Sequence, residues 1–319
     1  MNARPGRIIG TYQGRKKGPL LLVFGGMHGN EPSGVQALEL VFKMLEVEPI
    51  TNPAFEFKGR MVGICGNVRA LRKGTRYIRK DLNRQWTPEN VERVLKADSG
   101  RLSAEDLEMR EISLLVQQEI NWYQPEQMIV LDLHSTTAFG GIFSIATDDP
   151  ESLRIAMGLH APVIRGMLKG ITGSSLHYFC SDNFEPHTVT VAFEGGQHDE
   201  PLSVNRCIAA IINCLRTIGA VRPDDVENRH DSILIEYAKG LPKVAQLLYV
   251  HDIAPRDRFE MLPGFKNFQP IEAGTELARD RRGSIYAPID GLILMPLYQL
   301  QGTNGFFIVE AESQGELHD

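Results

Sequence analysis

Apolar residues recur along this chain in two rhythms. The first is the near-continuous run. LLLVFG at 20–25, GRMVGICGN at 59–67 and MIVLDLHST at 128–136 each end in glycine or polar residues. Such runs predict strands covered on both faces, as central parallel strands are. HTVTVAFEGG at 187–196 alternates more and predicts another strand, with a glutamate at its exit, and GGIFSIA at 140–146 predicts one more. The second rhythm is helical. Val35, Leu38, Val41 and Leu45 predict a helix over 33–46, with Ser33 as its cap and Pro32 fixing its entry. Leu107, Ile112, Leu115 and Ile120 predict an amphipathic helix over 104–123. Further helices are expected at 150–159 and 202–219, and in parts of the polar stretch 88–103.

Past Gly219 the texture changes. RPDDVENRHDS at 222–232 reads as a charged linker. Short β-like pieces follow at 245–253, 264–271, 283–299 and 305–311, punctuated by Gly and Pro, with a strong turn signal at Asp290-Gly291. The chain therefore divides into an α/β unit over 1–225 and a smaller, mostly β domain over 226–319, whose last residues, 312–319, read as frayed.

Composition narrows the classes. A length of 319 residues leaves room for a sizeable core. A formal charge of −6 gives no general surface for nucleic acid. The four cysteines contain no CxxC pair and suit a reducing compartment. No apolar h-region opens the sequence and no stretch of eighteen apolar residues occurs, so a cytoplasmic protein without membrane association is expected.

The chemistry sits at strand exits. His28 and Glu31 follow the first apolar run, Asp81, Asn83 and Arg84 end a charged loop, Asp132 and His134 end the third run, and Glu194 ends the fourth. If those strands are parallel neighbours, all these groups meet along one edge of the sheet. His28, Glu31 and His134 then make the three-ligand set of a catalytic zinc site, with one position left for water. Asp132 shares a strand face with His134 and can orient an imidazole. Glu194 can act as general acid and base, Arg84 can polarise a carbonyl, and Asn83 and Arg76 can hold a substrate carboxylate. Taken singly, each has an ordinary explanation: a hydrogen-bonded loop histidine, a carboxylate at a helix N-terminus, a surface ion-pair partner, a turn former. Only the joint placement points to a metal. The sequence carries no GxSxG elbow, no phosphate loop and no Cys-His motif.

GGMHGNEPSG, GNVRA, RYIRKDLNR, DLHSTT and VAFEGG, in that order, resemble the succinylglutamate desuccinylase/aspartoacylase family of the zinc carboxypeptidase-like superfamily, over roughly two thirds of the chain. The resemblance implies a mixed sheet flanked by helices, with a smaller β domain at the C-terminus. It also implies a zinc-dependent amidohydrolase, with one Zn²⁺ per chain, that removes the acyl group from a small N-acyl amino acid. By that pattern His28, Glu31 and His134 are the metal ligands, Glu194 the general acid/base, Arg84 the carbonyl-polarising group, and Arg76 and Asn83 substrate-binding. The chain departs from the pattern in lacking an arginine shortly before Glu194, so either His187 or the more distant Arg165 substitutes for it, or that substrate carboxylate is not recognised in the same way. Tyr286 and Tyr298 are the candidates for the family's C-terminal tyrosine. The rival readings are a metallocarboxypeptidase acting on short peptides and a non-catalytic metal-binding protein of the same fold. A homo-oligomer is compatible with either.

Overall fold

The computed structural model describes residues 6–225 and 229–312. Part of the 222–232 linker, the proposed domain boundary at 225/226 and most of the frayed tail thus lie at or outside the limits of the described residues.

The first strands are β1 (Ile8–Gln13), β2 (Lys16–Gly25), β3 (Lys58–Cys65) and β4 (Gln127–Thr136). β5 (Phe143–Ala146), β6 (Val163–Arg165) and β7 (His187–Gln197) follow. In the C-terminal part come β8 (Val244–Asp252), β9 (Glu260–Met261), β10 (Gln269–Ile271) and β11 (Glu276–Asp280), then β12 (Gly283–Tyr286), β13 (Gly291–Leu294) and β14 (Asn304–Ala311). Eleven of them form one mixed sheet in the order β1-β3-β2-β4-β7-β5-β6-β8-β14-β13-β10. β12, β11 and β9 form a small second sheet. The mostly β C-terminal region therefore extends the main sheet, since β8 pairs in parallel with β6.

β3, β2, β4 and β7 are mutually parallel neighbours, so their carboxyl ends share one edge. The continuous apolar runs of β2, β3 and β4 are buried on both sides, which is why they do not alternate, and β7, whose sequence alternates more, is buried along nearly its whole length too. Leu21, Val23, Ile129, Leu131 and Val191 pack with Leu38 and Val41 of the helix Ser33–Thr51 and with Ile211 of the helix Leu202–Thr217. Leu20, Leu22, Phe24, Met128 and Val130 face Met109, Ile112, Leu115 and Val116 of the helix Ala104–Tyr123.

Two helices differ from expectation. Ser33 is the first residue of its helix and makes no capping hydrogen bond; Pro32 occupies the cap position and the helix continues to Thr51, past Pro49. The helix Ala104–Tyr123 turns Ile112, Leu115 and Ile120 to the core as expected but differs in its first two turns. Leu107 is half-exposed, whereas Glu105 and Glu108 are buried. The reason is polar. Glu105 accepts the backbone N–H groups of Ile78 and Arg79 at 2.6 and 3.1 Å, and Glu108 pairs with Arg69 at 2.9 Å. A buried carboxylate needs such partners. The Glu105 bonds clamp the loop between residues 72 and 84, which supplies Arg76, Asp81, Asn83 and Arg84 to the site, to the helix.

Candidate active site

His28 leaves β2 through a turn that depends on glycine twice. Gly26 has φ of 68°, and a Cβ on Gly29 would lie 2.2 Å from the carbonyl carbon of Ala70. That close approach, with the Gly29 N–H donating to the Arg76 carbonyl at 3.0 Å, locks the His28 turn onto the arginine-bearing loop. Glu31 follows, just before the helix Ser33–Thr51. His134 and Glu194 are register partners on the adjacent parallel strands β4 and β7 and therefore share a face.

The three side chains meet. Glu31 bridges both imidazoles: Oε1 lies 2.8 Å from His28 Nδ1 and Oε2 lies 3.0 Å from His134 Nδ1. All three residues are buried, and one donor atom from each lies within 4.8 Å of the others, a cluster able to hold a metal ion. The far side of each ring is also engaged. His28 Nε2 stands 3.1 Å from Asp81 Oδ1, and His134 Nε2 stands 3.1 Å from Asp132 Oδ2. Imidazoles that bind metal through one nitrogen characteristically donate from the other to a carboxylate. The donor set, two imidazole nitrogens and a carboxylate, fits zinc and other divalent ions.

Electrostatics fit the same picture. Burial pushes the Glu31 carboxyl up, but the His28 and His134 imidazoles override it and hold Glu31 well below the usual carboxylate range. Burial pushes His134 down, yet Asp132 and Glu31 hold it well above an ordinary histidine, which favours the protonated ring. A metal ion must displace that proton. Divalent-metal affinity is therefore expected to rise with pH, approaching ~10-fold per unit below the His134 pKa, with about one proton released per ion. Competition titrations at several pH values and calorimetry in two buffers measure both; a flat profile without proton release contradicts the ligand set.

Glu194 is buried beside this cluster, and burial, reinforced by Glu31 and Asp132, raises its carboxyl to about 8 against the opposing pull of His134 and Arg76. Its Oε2 makes no hydrogen bond among the described residues. Arg76 abuts the cluster: it donates from Nε to Asp81 at 3.0 Å, and its Nη1 stands 3.6 Å from Glu31 Oε1. Arg84 turns toward the C-terminal strands, donating to Thr303 Oγ1 at 3.2 Å, Asn304 Oδ1 at 2.9 Å and the Asn83 carbonyl at 2.8 Å. Asn83 Oδ1 accepts the Ser175 N–H at 2.8 Å, and its Nδ2 lies 3.4 Å from His134 Nε2. His28, Glu31, His134, Glu194, Arg76, Asn83 and Arg84 all line one cavity of about 850 Å³, mouth included.

His187 is a correction. It opens β7 opposite Gln127, seven residues before Glu194, and is half-exposed beside Asp149. At ~3.3 Å per strand residue it lies roughly 23 Å from the base, at the wrong end of the sheet to touch substrate. Arg165 does not replace it, being exposed and paired with Glu312. Tyr298 is tied to Leu262 and Phe265, and Tyr286 is exposed on β12; neither lines the cavity. Asp81 stands out as the counterpart of Asp132, a role its sequence neighbourhood does not signal. His198 also enters the cavity wall, its Nδ1 2.8 Å from Ser135 Oγ.

The sequence profile of the succinylglutamate desuccinylase/aspartoacylase catalytic domain matches residues 17–218. A probable aspartoacylase from Nostoc sp. is 34% identical over 134 residues, which are 42% of this chain and 41% of that protein. Aspartoacylase from Danio rerio is 33% identical over 150 residues, 42% of this chain and 39% of the other. These matches span about two fifths of each curated relative. Among solved structures, a succinylglutamate desuccinylase/aspartoacylase from Rhodobacter sphaeroides superposes with a TM-score of 0.61 at 16% identity, covering 93% of this chain and 87% of that one, a likeness of fold. With the motifs on adjacent strand exits and the profile spanning well over half its length, the chain belongs to the succinylglutamate desuccinylase/aspartoacylase family.

Proposed function

We propose that this protein is a zinc-dependent amidohydrolase, using one ion per chain, that cleaves the acyl group from a small N-acyl amino acid. The observation that carries this reading is the buried His28–Glu31–His134 cluster with Glu194 on the register-paired strand position beside it. A divalent ion held by His28, Glu31 and His134 would supply Lewis acidity and make water a better nucleophile. Glu194, through its otherwise unpartnered oxygen, would take a proton from the attacking water and return it to the amide nitrogen as the C–N bond breaks. Asp81 and Asp132 hold the two imidazoles in the orientation that turns both Nδ1 atoms to the site.

The distances favour exchanging the roles expected of the two arginines. Arg76, against Glu31, is placed to donate to the substrate carbonyl oxygen as negative charge develops there. Arg84 is farther along the cavity, held by neutral groups, with N–H groups left over to grip the substrate α-carboxylate. Asn83 positions Arg84 and the Ser175 turn through its own hydrogen bonds. Arg76→Ala is expected to lower kcat about 10²–10³-fold, as loss of an oxyanion donor does. Arg84→Ala is expected to act mainly on KM. Steady-state kinetics of the pair decide; a pure KM effect at Arg76 reverses the assignment.

The function itself is tested by assaying the zinc-loaded protein on acetyl-, succinyl- and longer-chain acyl-amino acids and on short peptides, with and without chelator. Metal-dependent release of an acid from an N-acyl amino acid is expected. Release of C-terminal residues from peptides alone would make it a carboxypeptidase. No hydrolysis of any substrate overturns the reading.

A further inference from the structure

The cavity has one polar wall and one apolar wall. Ile145, Met167, Ile171, Leu176, Ala192 and Phe307 make the second. They form a continuous surface. Ala192 lies two residues before Glu194 on β7 and so shares its face, and Ile145 is its register partner on β5. The same apolar cluster continues beneath them through Phe143, Ile164 and Ala245.

The charged side chains and imidazoles around the cavity are the three cluster residues, Glu194, Arg76, Arg84 and His198; no lysine and no third arginine lines it among the described residues. Arg76 is already matched by Asp81 and Glu31. Arg84 can meet one substrate carboxylate. A second carboxylate set against the apolar wall would have no further arginine or lysine to pair with, and burying an unpaired charge is strongly disfavoured. The apolar wall also adjoins Arg84. Phe307 lies three residues along β14 from Asn304, which Arg84 contacts. The 171–176 turn packs on the Arg84 backbone, where a Cβ on Gly173 would lie 2.5 Å from the Arg84 carbonyl oxygen. A substituent on the carbon next to the gripped carboxylate therefore faces this wall.

Resting on the amidohydrolase reading, we propose that the amino-acid half of the substrate carries an apolar side chain, of the leucine, methionine or phenylalanine kind, in place of an acidic one. The test pairs binding with turnover. Calorimetry on zinc-loaded Glu194→Gln measures affinity for N-acetyl-leucine, N-acetyl-phenylalanine, N-acetyl-aspartate and N-acetyl-glutamate, and the parent protein is assayed on the same four compounds and on N-hexanoyl-aspartate. The apolar compounds are expected to bind about 10-fold or more tightly than the acidic ones and to show kcat/KM about 100-fold higher. Ile171→Arg, at a half-buried wall position, should move the apolar-to-acidic ratio at least ~10-fold toward the acidic compounds. Equal or better binding of the acidic compounds overturns the proposal, as does an unmoved ratio in Ile171→Arg. N-hexanoyl-aspartate outperforming N-acetyl-leucine would hand the wall to the acyl group and overturn it too. Apolar-selective binding without hydrolysis by the parent supports the pocket assignment while removing the hydrolase reading. Binding of none of the compounds removes the pocket assignment.

Discussion

Glu194→Gln is expected to keep its metal and lose about 10²–10⁴-fold in kcat, the usual contribution of a positioned acid/base group. The amide is nearly isosteric, so packing against the cavity wall is preserved. It cannot accept the proton that the carboxylate accepts. In the protein without metal, burial holds the Glu194 carboxyl at about 8, which would leave it largely protonated near neutrality and unable to act as a base. A cation at the adjacent cluster favours the ionised form, as any nearby opposite charge does. An ion held there would thus favour the ionised, proton-accepting form of Glu194. Elemental analysis checks the first half of the prediction and turnover the second; parent-like turnover with full metal removes Glu194 from its role.

The second large effect is at His134. His134→Ala removes one of three donors and leaves Asp132 and Glu31, both buried, without the imidazole that stands between them. Bound zinc is expected to fall below stoichiometry after dialysis, and hydrolysis with it. The variant should also be less stable, because uncompensated buried carboxylates are costly: breaking a buried charged pair costs about 3–5 kcal/mol. Metal content separates this from simple unfolding, since a folded variant with unchanged zinc would mean that His134 is not a ligand. His134→Gln, which restores a polar partner of similar reach, should recover stability ahead of metal.

Much of the architecture is legible from local pattern. Continuous apolar runs mark β2, β3 and β4 because a strand covered on both faces has no polar side to alternate with. The helix Ala104–Tyr123 is legible in extent and in its Ile112–Leu115 face, but not in its buried glutamates. Its buried glutamates are satisfied by backbone N–H groups and arginines 25 or more residues away, and no helical periodicity encodes such partners. The cysteines read simply as well: Cys65, Cys207 and Cys214 are buried and free, and burial pushes their thiols up to about 12. Among the described residues no helix is long and apolar enough to cross a membrane.

By itself the sequence determined that His28 and Glu31 stand at one strand exit and that His134 and Glu194 stand at two others, because these are short-range facts of spacing and strand phase. Tertiary structure alone decided which strands are neighbours, and hence that the four meet. It placed Asp81 behind His28, turned Arg84 away toward Asn304, 220 residues on, and left His187 at the far end of β7. It also assembled the apolar wall from β5, β7, β14 and the 167–176 turns. Such features depend on register and on packing between distant segments, where a one-residue slip moves every side chain to the opposite face.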